Sequence, residues 1–450
     1  MTLFESSLRT DGSRTTVHPA DVHGRFNLWR HVVFYGLIVL WVLLPWITIA
    51  GRPAVFLDIT ARAFYLFGLS FNAQDLWLLF FGATGFAFAL VAITAMAGRV
   101  WCGWACPQTV FLEGAFRKIE RLIQGPREDR LRRNKGPWTV NRLARIAASH
   151  AFYAGLSLLI AHVILSYFVS LPGMFQMIRE NPGAHPEAFL WTFGIAGVTY
   201  FNFAWFREQF CVVMCPYGRL QSVLLDEQSL VVGYDTKRGE PRGKANSSNA
   251  GDCVDCRRCV VVCPTGIDIR NGLQLDCLAC TACIDACDDI MDRLHRKRGL
   301  IRYDSFAGLA GSARRFWRPR LWLYAALAMI GLAATSFAFS SRRSFEANAL
   351  RPPGVPYALR DGYIDNAFQI HVTNKQAQEE PFVFESQSSE LDVTLGASSV
   401  RLRAMASTRI PIVVRIRRER YRTGAVAIVK VTNRQGDFQL VRLQLAGPEP

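Results

Sequence analysis

Cysteine is absent from the first 101 residues and from the last 163 of this 450-residue chain. The C-terminal stretch therefore has no disulfide to staple it, and any fold there depends on its own core. A secretory signal is also missing. Residues 1–24 are polar, and the first apolar run, 31–50 (HVVFYGLIVLWVLLPWITIA), is too long for a signal core and lacks a small-residue cleavage site. Acidic residues are short of balance, with 36 Asp and Glu against 52 Lys and Arg, a formal charge of +16. No base-reading motif accompanies that excess, so nucleic-acid binding is not expected.

Apolar residues are abundant. They make up 50% of the chain and gather in runs at 31–50, 76–97, 146–170, 188–206 and 321–340. Each run is close to the ~20 residues that span a bilayer as a helix, so five transmembrane helices are expected. Residues 98–145 hold eleven Lys or Arg against four acids, whereas 171–187 hold only Arg179. Basic loops stay on the cytoplasmic side, and they can also lie against anionic lipid. The N-terminal segment 1–30, the basic loop 98–145 and the region 207–318 are then cytoplasmic, and residues 341–450 lie outside. Arg314, Arg315, Arg318 and Arg320 before the fifth run outvote Arg342 and Arg343 after it. The expected domains are 31–206 with four helices, 207–318 with an inserted domain, 319–340 as the fifth helix, and the tail.

Pro352, Pro353 and Pro356 mark a linker at the start of that tail. Seven short alternating runs follow: FQIHVTN, PFVFES, LDVTL, VRLRAM, IPIVVRIR, AVAIVKV and FQLVRLQL. Their number and spacing predict an all-β, immunoglobulin-like sandwich over 341–450.

The twelve cysteines fall into groups with none left over. Cys253, Cys256, Cys259 and Cys263 follow C-x2-C-x2-C-x3-C with Pro264 next, and Cys277, Cys280, Cys283 and Cys287 repeat the spacing. This doubled run is that of bacterial two-cluster ferredoxins, in which the fourth cysteine of each motif ligates the other cluster. One 4Fe-4S cluster is then expected on Cys253, Cys256, Cys259 and Cys287, and a second on Cys277, Cys280, Cys283 and Cys263, within about 245–295. Structural zinc would prefer two separated C-x2-C knuckles.

WCGWACP (101–107) and CVVMCP (211–216) each read C-x3-C-P. On a helix, positions four apart share a face, so Cys102 with Cys106 and Cys211 with Cys215 are each expected to offer two sulfurs, with Pro107 and Pro216 ending or kinking the helix. Together they form a candidate redox or metal site for copper, for a third cluster, or for a dithiol relay. His162 is an ionisable group inside the third run. His31 and His150 fall near helix ends, as a bis-histidine haem would need. Met174 and Met177 are expected to pack an interfacial helix. REDRLRRNK (127–135) is expected to be a solvated face near lipid headgroups.

These stretches, with GRPAVFLDITARAFYLFGL, REQFCVVMCPYGRLQS, YDTKRGEPRGK and CTACIDACDDIMDRLHRKRGLIRY, resemble the FixG/CcoG/RdxA family, accessory proteins of cbb-type cytochrome c oxidase. The resemblance covers nearly the whole chain. It implies a five-helix bacterial inner-membrane protein, a cytoplasmic two-cluster ferredoxin insert and a periplasmic immunoglobulin-like end. It further implies a part in oxidase assembly, reducing Cu(II) to Cu(I), with oxidase assembly factors and copper-handling proteins as partners; a homodimer stays open. The family's DRNP-like stretch after the fifth helix is replaced here by ALRPPGVPYALRDGYIDN. A quinol-oxidising relay to another complex and a copper-binding chaperone or scaffold remain as alternatives.

Overall fold

The computed structural model describes residues 16–448 except 50–51, 60–62, 73–74, 246–248, 314, 316–317, 341–342, 377 and 389–390. The first half of the N-terminal segment, Arg314 and Arg342 therefore lie outside the described residues. The chain divides into two compact units, one holding residues up to Ile47 with Phe81–Thr335, the other Thr48–Phe80 with the chain from Ser336.

The apolar runs become helices α1 (Arg25–Leu43), α2 (Leu76–Ala97), α3 (Val140–Leu165), α4 (Pro186–Tyr200) and α6 (Pro319–Ser340), with α5 (Ala282–Arg293) in the cysteine-rich segment. Helix α1 ends earlier than the run 31–50 because Pro45 follows its last turn and cannot continue the ladder. Thr139 sets the start of α3, its hydroxyl accepting from Arg142 N at 3.2 Å. Helices α2 and α6 cross where two glycines meet: a Cβ on Gly331 would lie 2.8 Å from Gly85 Cα, so the backbones touch directly.

Four helices among the described residues are long and apolar enough to cross a membrane: α1, Phe80–Ala97 of α2, α3 and α6. The run 188–206 differs from expectation. It is α-helical for 15 residues as α4, then π-helical over Phe201–Phe206. The stretch 98–145 is largely short helices, with a second π-helical segment at Leu112–Phe116.

The second unit is all-β beside the start of α2. Its first sheet orders Asp392–Leu395, Ser407–Arg417, Tyr363–Asn374 and Phe345–Leu350, with Ala358–Arg360 also paired to Tyr363–Asn374. The second orders Ser399–Leu402, Glu380–Ser386, Val426–Asn433 and Phe438–Gln444, and every pairing is antiparallel. Alternation buries one face of each strand, and Ile364, Ile370, Val372, Val414, Val429, Val431 and Leu443 are wholly enclosed in a single core. All seven expected strands are present. Phe345–Leu350 and Ala358–Arg360 flank the predicted proline linker, which is thus a connection inside the domain. Val55–Asp58, Ala63–Leu66 and Leu69–Asn72 form a three-stranded antiparallel sheet. Buried Lys375 bridges Asp75 at 2.9 Å and Glu346 at 2.8 Å.

Candidate iron–sulfur and thiol sites

The cysteine-rich insert is framed by an antiparallel pair, Leu230–Tyr234 with Ile301–Ser305, and by α5. Its two motifs fold alike. Asp255 and Arg257 flank Cys256 with φ of 50° and 53°, and Ala279 and Thr281 flank Cys280 with φ of 52° and 63°. None of the four is glycine, and holding a side chain in the left-handed region costs roughly 1–2 kcal/mol each. Such alternation turns successive N–H groups toward one concavity, a cradle for an anionic group. Strain repeated at equivalent places in both motifs points to a functional constraint.

Two cavities lie within these cradles. One is lined by Cys253, Cys256, Cys259 and Cys287. The other is lined by Cys263, Cys277, Cys280 and Cys283, with Cys259 at the shared wall. Each cavity is thus walled by cysteines of both motifs, Cys287 joining the first three of one run and Cys263 the first three of the other. Cys256 is exposed, whereas Cys277, Cys280 and Cys283 are buried. Burial pushes the Cys259, Cys277 and Cys287 thiols up to about 12. Thiolates at these places require a cationic centre to hold them, as ligation by iron provides.

Cys102, Cys106, Cys211 and Cys215 also come together. Each thiol lies within electrostatic reach of the other three. The local geometry corrects the expectation of a shared helix face. Cys102 sits on a short helix, Val100–Trp104, and Cys106 lies beyond it in an extended conformation (φ −62°, ψ 127°). Cys211 sits on a π-helical turn, Phe210–Met214, and Cys215 lies beyond it with φ −69° and ψ 111°. Pro107 and Pro216 begin new helices instead of kinking old ones. Their missing N–H is harmless at a first helical position and their fixed φ suits it.

A buried amide adjoins these thiols. Gln221 is fully enclosed, Cys102 Sγ donates to its Oε1 at 3.4 Å, and its Nε2 has no hydrogen-bond partner. An orphaned donor beside four thiols fits an electron-rich thiolate-held group that would accept from it. Among the described residues no three His, Cys, Asp or Glu side chains are grouped to hold one metal ion. That speaks of a single ion drawing sulfurs to ~2.3 Å, and a cube spreads its thiolates over separate irons.

The thiol site and the buried cavity are in direct contact. Cys102, Leu278, Cys280 and Ala282 share one buried cluster, against which Cys211 packs. Gly103 makes the approach possible: a Cβ there would lie 2.6 Å from Ala279 O and 2.7 Å from Leu278 O. Arg99 ties the loop 275–277 to the helix Pro216–Leu224, donating to Gly218 O at 2.6 Å, to Cys277 O at 3.3 Å and to Leu275 O. Trp104 Nε1 donates to the Tyr303 hydroxyl at 3.2 Å, which donates to Ala279 O at 2.9 Å.

A buried ionic network that sequence reading missed reaches the insert through the Pro264 carbonyl. Glu120 meets Arg207 at 3.0 Å and Arg130 at 3.2 Å. Arg117 meets Glu208 at 3.1 Å, Glu113, and the carbonyl of Pro264 at 3.1 Å. Arg130 belongs to the stretch taken for a solvated face, yet it is 5% exposed. The histidines are engaged locally. His162 Nδ1 bonds Leu158 O at 2.8 Å, His31 Nδ1 bonds Asn27 O at 2.7 Å, and His150 Nδ1 pairs with the Tyr200 hydroxyl at 2.8 Å. Met174 is buried on the helix Leu171–Arg179, which also carries Met177.

Three family models match parts of the chain. Residues 206–306 match a family described as a 4Fe-4S dicluster domain, and 335–444 match the IG-like fold at the C-terminus of FixG. Residues 78–126 and 184–226, which carry the two C-x3-C-P motifs, match a 4Fe-4S binding domain. The chain is 36% identical over 389 residues to protein RdxA of Cereibacter sphaeroides, covering 82% of this chain and 81% of that one. It is 34% identical over 409 residues to RdxB of the same organism, covering 85% and 84%. Nitrogen fixation protein FixG of Rhizobium meliloti is 38% identical over 311 residues, covering 66% of this chain and 59% of that one. With iron–sulfur domains joined to membrane helices and to this β end, the chain belongs to the FixG/RdxA family, as a multi-pass iron–sulfur electron-transfer membrane protein.

Proposed function

We propose that this protein carries single electrons from the cytoplasm to the membrane border and uses them to reduce Cu(II) to Cu(I) during assembly of cbb-type cytochrome c oxidase. Cys253, Cys256, Cys259 and Cys287 hold an outer 4Fe-4S cluster, and Cys277, Cys280, Cys283 and Cys263 an inner one. Cys102, Cys106, Cys211 and Cys215 hold a third. When bound, these clusters supply reversible one-electron storage. The observation that carries the reading is the packing of Cys102 with Leu278 and Cys280 in one buried cluster, which sets the thiol site beside the inner cavity. Copper is the substrate: each Cu(II) takes one electron and leaves as Cu(I). Its choice rests on the family resemblance.

The same reading orients the chain in a bacterial inner membrane. The run 188–206 crosses as a fifth span, its α-helix continued by the π-helical segment, which keeps the backbone internally hydrogen bonded. The basic stretch 98–145 puts the N-terminus and the ferredoxin insert in the cytoplasm and the β domain in the periplasm.

A single-turnover experiment tests the function. Anaerobic, dithionite-reduced and desalted protein is mixed with Cu(II) and a chromogenic chelator specific for Cu(I). One Cu(I) is expected per electron lost from the iron–sulfur absorption, and replacing Cys102, Cys106, Cys211 and Cys215 with serine should slow it strongly. Reduction of the centres by a quinol with no Cu(I) formed would favour a relay. Copper binding with no electron transfer would favour a scaffold.

A further inference from the structure

Arg30 lies on α1 and is 4% exposed. Its Nε donates to Gly103 O at 3.0 Å, the carbonyl next to Cys102. Its guanidinium stands 4.9 Å from the ring centroid of Phe34, itself fully buried. Its Nη2 is enclosed and has no hydrogen-bond partner. Among the described residues no carboxylate pairs with it. Glu113, which shares a cavity wall with Arg30, is taken by Arg117. Gly103 itself packs on the Leu278 and Ala279 carbonyls, so Arg30 stands beside the loop that carries Cys280.

A guanidinium stays charged at every accessible pH. Buried without an acid, such a charge is strongly disfavoured unless another anion balances it. The loops that Arg30 faces carry no carboxylate in contact with it; they carry Cys102 on one side and Cys280 on the other. A cube with four thiolates is a net anion, and it gains a further negative charge on reduction.

We infer that Arg30 is the countercharge shared by the inner cluster and the thiol-held centre beside it, a tuning residue that favours their reduced states. The inference rests on the reading that these cysteines hold clusters. Arg30 touches no reacting atom. It acts through its field and through the Gly103 carbonyl that it fixes. Neither Gly103 nor Cys280 lines the outer cavity, so the centre on Cys253, Cys256, Cys259 and Cys287 is expected to feel Arg30 less.

The test is a redox titration of the full chain in detergent, followed by electron paramagnetic resonance, with iron and sulfide measured on each sample. In Arg30→Gln the midpoint potential of the inner signals should fall, while the outer signal, identified by its loss in Cys256→Ser, moves less. In Arg30→Lys the charge can now be lost, so the inner potential should become pH-dependent above neutrality where the native protein shows no dependence. Unchanged potentials in Arg30→Gln with iron content intact would overturn the inference. If that variant does not assemble, a pH-independent potential in Arg30→Lys overturns it. Loss of the cluster reading is a separate result, seen as native iron content in the cysteine variants themselves.

Discussion

Gly103 is where a single hydrogen atom decides the distance between two cysteine-bearing loops. A methyl group there would meet two backbone carbonyls, which have no rotamer to move into. Gly103→Ala should therefore push the Cys102 loop off the Leu278–Ala279 loop. A loss of about 1–3 kcal/mol in stability is expected from overpacking. Spin coupling between the inner cluster and the thiol-held centre should weaken while the outer cluster is unaffected. Gln221 is the second informative residue. Replacing it with leucine keeps the volume and removes the orphaned donor. The thiol-held centre should then titrate at lower potential, since a hydrogen bond to its electron-rich sulfur is lost. Both residues were hidden in sequence. A glycine between a cysteine and a tryptophan carries no mark of the loop it touches, and a glutamine in a short helix looks like surface.

Among the elements, the two C-x3-C-P motifs show what pattern can and cannot reveal. Their repetition announced a site of four thiols, and the structure gathers all four. The means was misread, because i and i+4 spacing suggests a helix face while the prolines open new helices. The left-handed residues around Cys256 and Cys280 were equally silent, since Asp, Arg, Ala and Thr give no hint of positive φ. The seven predicted strands held because alternation encodes one buried face each, whereas the short strands at 55–72 have no such contrast. The buried ionic network was missed because a charge looks the same whether solvated or buried. Glu120 shows its weight. Burial favours its neutral form, but His18, Arg207 and Arg130 outweigh this and hold the carboxyl well below the usual carboxylate range. Its folded pKa is depressed, so its contribution is present above the unfolded value near ~4.3 and is lost as pH falls below that. Glu120→Gln strands Arg207 and Arg130 and should cost about 3–5 kcal/mol in detergent unfolding at neutral pH. Arg132→Ala, which breaks only an exposed pair with Asp129, should cost no more than about 1 kcal/mol.

At the scale of the whole molecule, charge distribution and cysteine distribution point the same way. The basic stretches flank the thiols, and the cysteine-free β domain stands beyond the last apolar helix. A reporter enzyme that works only outside the cytoplasm should be active when fused to the C-terminus and inactive when fused within 127–135. The reverse pattern would invert the orientation, and activity at both places would remove a span. The central claim is that twelve cysteines serve three clusters in contact, and iron counting tests it most directly. Anaerobically purified protein should contain about twelve irons and twelve sulfides per chain, and the variant with serine at Cys102, Cys106, Cys211 and Cys215 about eight of each. Equal iron in the two proteins, with the four thiols freely alkylated in the native one, would contradict it.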